Sequence, residues 1–169
     1  MEQSMSEVST PLSLPDEAHE DLAHLAAHAT DLPPIAQAVK QAKPGEELPN
    51  AVVSTVGLPI DEVERILATI WNLYRMQRKE GSDTAGFVGR VTMALEKETS
   101  DEWKKQHLAA WRGVSGEVIS LLNGITDEHP FVVAGKAAML GSAHQNCFLT
   151  ARLITDIRPV FNRSGDRVV

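Results

Sequence analysis

Apolar residues recur at helical spacing along most of this chain and change to strict alternation only near its end. Val63, Ile66, Leu67, Ile70, Leu73 and Tyr74 follow one another at steps of 3, 1, 3, 3 and 1. That places them on one face of a helix with about 3.6 residues per turn. Gly57 supplies a turn before this segment, Asp61 and Glu64 have the spacing of a capping box, and Gly81 closes it. Upstream, Leu22, Leu25, Ala26 and Ala29 mark a helix that starts at Pro15-Asp16-Glu17 and ends before Pro33-Pro34. Short helices over 35–42 and 48–56 follow. Downstream, Asp83 caps a helix bearing Phe87, Val91, Ala94 and Leu95. A helix over 103–123 aligns Trp103, His107, Trp111, Val114, Val118, Leu121 and Leu122 on one side. Gly113 and Gly116 weaken that helix, and close helix packing would explain them. Pro130 opens a last helix with Val133, Ala137 and Leu140 on its inner face.

Beyond it the period becomes two. Leu149, Ala151, Leu153, Thr155 and Ile157 alternate with Thr150, Arg152, Ile154, Asp156 and Arg158, and Pro159 limits the run to an edge or an end. The expected fold is therefore mainly α: a multi-helix bundle of about six or seven helices with a C-terminal β-strand or short hairpin. The expected organisation is a flexible tail over 1–14, a helical domain over 15–146 and a strand or hairpin segment over 147–169.

Composition narrows the function classes. A net charge of −7 disfavours non-specific attraction to nucleic acid or to an anionic membrane. The single cysteine, Cys147, rules out an internal disulfide or a multi-cysteine zinc site and suits a reducing compartment. With no leader pattern and no long apolar run, a cytoplasmic location is expected.

Three arrangements bear on chemistry. His24 and His28 lie four apart on the first helix, with Glu20 extending their row. Two imidazoles at that spacing can share a metal ion, and a carboxylate can complete the site. The expected reading is nevertheless a solvated polar face opposite Leu22 and Leu25, so no metal or other cofactor is assigned, and the metal site is the alternative. His144 and Cys147 stand three apart, as a base and a thiol would, but a buried structural cysteine is the expected reading. Val53, Gly57, Val63 and Ile66 stand at relative positions 0, 4, 10 and 13, the spacing of a helix-turn-helix. The second helix of that unit opens on Ile60-Asp61-Glu62, which repels phosphates, so a packing role is expected and nucleic acid is an unlikely partner. Arg75, Arg78 and Lys79 read as a solvated helix end. No nucleophile elbow, Gly-rich phosphate loop or paired-acid catalytic motif occurs, so no enzyme and no catalytic residue is expected.

The run from Arg152 to Phe161, Arg-Leu-Ile-Thr-Asp-Ile-Arg-Pro-Val-Phe, is similar to a strand of uncharacterised bacterial helical proteins. More loosely it resembles the entry into a COMM domain, where a helical N-terminal domain leads into a strand of apolar, Asp and Arg residues. That resemblance implies a C-terminal module that dimerises by interlocking strands in a non-enzymatic assembly protein. The strand pattern and the resemblance together lead to a protein–protein interaction or assembly role, with self-association or a protein partner and no membrane. Leu149, Leu153, Thr155, Asp156, Ile157, Arg158 and Phe161 are the expected contact residues. Two alternatives stand beside it: a small metal-binding or catalytic protein using Glu20, His24 and His28, and a nucleic-acid-binding regulator using the helix-turn-helix unit.

Overall fold

A computed structural model describes residues 12–139 except residue 82. The expected strand and its contact residues, Leu149, Leu153, Thr155, Asp156, Ile157, Arg158 and Phe161, lie outside the described residues, as do His144 and Cys147. Among the described residues the architecture is seven helices and no strand. In chain order they are α1 (Asp16–Ala27), α2 (Leu32–Lys40), α3 (Leu48–Val56), α4 (Ile60–Glu80), α5 (Thr84–Glu98), α6 and α7 (Pro130–Met139). Helix α6 is composite: a first turn Asp101–Trp103, a π-helical stretch Lys104–Leu108 and a regular part Ala109–Asn123. It packs against α1, α2, α4 and α5, while α4 also lies against α1 and α3. No described helix is long and apolar enough to cross a membrane.

Local chemistry accounts for most boundaries. Asp83 accepts a hydrogen bond from the Gly86 backbone N–H at 3.1 Å and caps α5. The Ser100 hydroxyl does the same for α6 through the Trp103 N–H at 3.0 Å. Gly57 (φ 75°) and Gly81 (φ 74°) end α3 and α4 in the left-handed region that a Cβ disfavours. Helix α1 ends before Pro33 and Pro34, as expected, and the two prolines sit in the first turn of α2, which starts at Leu32 rather than Ile35 and where a missing N–H costs nothing. The Asp61–Glu64 capping box does not form: Pro59 occupies the N-cap of α4 and no side chain caps it. Instead the Glu62 and Val63 N–H groups both donate to the Pro59 carbonyl at 3.1 Å.

The core begins at Leu12 and Leu14, inside the stretch expected as a tail. The Leu14 N–H donates to Glu98 at 3.1 Å, and the same carboxylate oxygen lies 3.1 Å from His19 Nε2. His129 joins the ends of two helices. Its Nε2–H donates to the Lys40 carbonyl at 2.9 Å, which leaves Nδ1 as the acceptor for the Phe131 N–H at 3.1 Å. Every residue over 66–74 of α4 is buried, Thr69, Trp71 and Asn72 included, so this stretch has no solvent face.

Trp71 explains how α7 seats. Its indole meets Phe131 edge-on, ring centroids 6.4 Å apart. A Cβ placed on Gly135 would come within 2.7 Å of the same indole. Close packing therefore belongs to Gly135. Gly113 and Gly116, for which it was the expected explanation, have no side chain or foreign backbone within 4 Å of a built Cβ. Val133, expected on the inner face of α7, is 52% exposed, and Phe131 and Val132 face the core in its place.

Gly135→Ala should destabilise the fold by about 1–3 kcal/mol, because the buried indole has no room to yield. Gly113→Ala and Gly116→Ala should each stabilise it by about 0.5–1 kcal/mol through helix propensity alone. Urea denaturation of the three variants checks this, and a neutral Gly135→Ala would refute the packing account.

Candidate metal centre

Helix α1 ends over the start of α4. His24 and His28 lie one turn apart near the C-terminal end of α1, with ring centroids 4.9 Å apart and planes at 61°. Glu62 stands in the first turn of α4, where the helix dipole favours a carboxylate. Its Oε1 lies 2.8 Å from His24 Nε2 and 3.1 Å from His28 Nε2. Each of the three residues thus offers one ligand atom, and these atoms all lie within 4.8 Å of one another. Among the described residues this is the group with metal-ligand geometry. Glu20, expected to complete the site from the same helix, is exposed and takes no part. The third ligand comes instead from 34 residues beyond His28.

Asp31 supports His28 from the other side of its ring. Asp31 Oδ2 lies 3.4 Å from His28 Nδ1, so the ring of His28 sits between two carboxylates. A neutral imidazole has one N–H and can serve only one of them. A cation on Nε2 resolves that conflict: Nδ1 keeps the proton for Asp31, and Glu62 and Nε2 meet the ion. Asp21 holds Arg65 beside the site, at 3.0 Å from Nε and from a terminal nitrogen.

The site is neither closed nor fully wet. The side chains of His24 and His28 are 16% and 19% exposed, and that of Glu62 is 40% exposed. Burial lowers the His24 pKa below its usual 6.5. A second proton would go to Nδ1, which is buried without a hydrogen-bond partner among the described residues. The hydrogen bond to Glu62 opposes this shift, while the positive fields of Arg65 and His28 add to it. Glu62 is held below its usual 4.5, chiefly by the hydrogen bond from His24. At neutral pH His24 is therefore neutral and Glu62 ionised, the charge states that ligands need, and metal binding at Nε2 would shift the His24 N–H to Nδ1.

The other residues singled out in the sequence fall elsewhere. A short turn at Gly57 joins α3 to α4, and Glu62 in the first turn of the second helix bonds to histidines of α1. Arg75, Arg78 and Lys79 stand at the far end of α4 and are not a featureless solvated end, since they line a cleft. Glu62 was legible as an acid in a helix's first turn. Its meeting with two histidines on another helix leaves no trace in local spacing.

Both shifts have the same sign for stability. His24 favours its neutral form in the folded state, so its contribution is complete above pH 6.5 and is lost as pH falls below that value. Glu62 adds a loss in the same direction below pH 4.5. NMR titration of the metal-free protein should place the His24 midpoint below 6.5. A midpoint above it would contradict the burial account. No family model, curated protein or solved structure matches the chain, so the site's own geometry carries the functional reading.

Proposed function

We propose that this chain is a metal-binding helical protein in which His24, His28 and Glu62 hold a divalent transition ion, zinc above all. The observation that carries the reading is the convergence of both Nε2 atoms on one carboxylate oxygen, at 2.8 and 3.1 Å. Tetrahedral zinc with nitrogen and oxygen ligands at about 2.0–2.2 Å spaces its ligand atoms about 3.3 Å apart. Both Oε1–Nε2 separations lie within about half an ångström of that spacing, and rotation of the half-exposed Glu62 can adjust them. Two imidazoles and a carboxylate suit zinc better than magnesium or calcium, which prefer all-oxygen sites.

The role is a clip between helices. The ion bridges the end of α1 to the start of α4, two elements that already pack together. Three protein ligands leave a fourth position facing solvent. An open cleft of about 750 Å³ is lined by residues at the opposite end of α4 and includes none of the three ligands. The assembly reading through the C-terminal strand keeps its support in the sequence pattern.

Calorimetric titration of the full, tag-free chain with Zn²⁺ should saturate at about one equivalent. At a hundredfold excess over the dissociation constant the midpoint of thermal unfolding should rise by roughly 5–10 °C. His28→Ala and Glu62→Ala should abolish that rise, and Asp31→Asn should weaken binding about 10-fold or more. Glu20→Ala should leave it unchanged. Zinc binding that survives both His28→Ala and Glu62→Ala would place the metal elsewhere and defeat the proposal.

A further inference from the structure

At the opposite end of α4 lies an open cleft of about 750 Å³. That volume falls in the range of small-molecule sites. Arg78, Lys79 and Lys136 stand on it together with Trp71, Tyr74 and Asp127. With Arg75 also in the lining, the cleft holds four cations and a single acid, on a chain whose net charge is −7. A concentration of positive charge against the sign of the whole molecule calls for a local cause.

The inner wall is fixed. Tyr74 stacks on Trp71 with centroids 5.9 Å apart and planes at 18°. The Arg78 guanidinium carbon lies 5.1 Å from the centre of the Tyr74 ring. Arg78 Nε–H donates to the Tyr74 hydroxyl at 3.1 Å and lies 3.3 Å from Asp127 Oδ1, and the Tyr74 hydroxyl is also bonded to Asp127. Arg78 is thereby oriented through Nε, and its two terminal nitrogens make no hydrogen bond among the described residues. Lys79 and Lys136 are both exposed, and neither has an ion-pair partner among the described residues. Trp71, 2% exposed, forms part of the inner wall.

We propose that this cleft binds a small phosphorylated molecule. Arg78, Lys79 and Lys136 receive the phosphate and the largely apolar wall receives its organic part. An oriented guanidinium with free terminal nitrogens makes paired hydrogen bonds to a phosphate, and lysines add point charges. Asp127 holds Arg78 in place and repels anions that lack the charge to overcome it. The chain beyond α7 is a poor occupant by charge, since residues 140–169 carry four arginines and two aspartates. The site does not depend on the histidine cluster and stands or falls separately from it.

The test uses the full chain at low salt with three probes: inorganic pyrophosphate, adenosine 5′-monophosphate and adenosine. Binding is read by calorimetry and by tryptophan fluorescence. Saturable binding of the monophosphate is expected, at least about tenfold tighter than adenosine. The double variant Lys79→Gln/Lys136→Gln alters two exposed side chains and should keep the fold, and it should weaken the monophosphate at least about tenfold. Arg78→Gln should weaken it at least as much, with the circular-dichroism spectrum and Zn²⁺ binding unchanged. Absence of saturable binding by both phosphate probes would overturn the proposal, as would affinity unchanged in the double variant. A duplex oligonucleotide bound more tightly than the monophosphate, and released by the same double variant, would also overturn it in favour of a nucleic-acid surface.

Discussion

The burial of α4 on every side through residues 66–74 is the constraint on which the rest of the molecule depends. A helix without a solvent face must be enclosed by others, and α1, α3, α5 and α6 all contact it. It must also settle its polar side chains internally. Thr69 does so by returning its hydroxyl to the Arg65 carbonyl at 2.9 Å. Trp71 Nε1 and Asn72 Oδ1 are not settled within the described residues. Enclosure extends only to the middle of the helix. Glu62 near its start and Arg75, Arg78 and Lys79 near its end reach the surface, and both sites are built there.

Much of this was legible in the period of the apolar residues. The six apolar positions read on α4 are all buried, and the boundaries of α3 match the expected 48–56. The capping residue Asp83 and the turn glycines Gly57 and Gly81 act as their chemistry predicts. What was not legible has a common cause. Periodicity reports one face of a helix and is silent on how many neighbours surround it. Thr69 and Asn72 gave the other side of α4 a polar look, which hid Trp71 among them. The glycines illustrate the same limit: only the tertiary neighbour, an indole from α4, distinguishes Gly135 from Gly113 and Gly116. The π-helical stretch at 104–108 inserts an extra residue per turn in α6, and no residue type announces it.

The histidine pair shows how a site can be half-legible. The four-residue spacing predicted that the two rings would share a face, and they do. On their own helix the nearest further acid in their row is Glu20, which is exposed and takes no part. Ligands from one helix can only line up along its axis, whereas a metal needs donors that converge from different directions. A donor from a second helix meets that requirement, and sequence spacing has no means of naming it.

The two ends of α4 also work against its dipole, and magnitudes decide the outcome. The N-terminus carries partial positive charge and should repel a metal ion, while the C-terminus carries partial negative charge and should repel a phosphate. That effect is about 0.3–1 kcal/mol at a partly exposed terminus. Zinc held by protein ligands gains far more, about 10–16 kcal/mol in small structural sites. A hydrogen bond to an ionised group contributes about 1.5–3 kcal/mol net. Side chains therefore overrule the backbone at both ends, provided that they are held in position. Glu62 is held by the two imidazoles, and Arg78 by Tyr74 and Asp127. About 24 Å of helix separates these residues, from a rise of about 1.5 Å per residue. The segment between them is the part of α4 with no freedom to bend toward solvent. Both proposed sites are thus fixed to the same strut, and the close packing around Trp71 also sets the geometry in which either proposed ligand would be met.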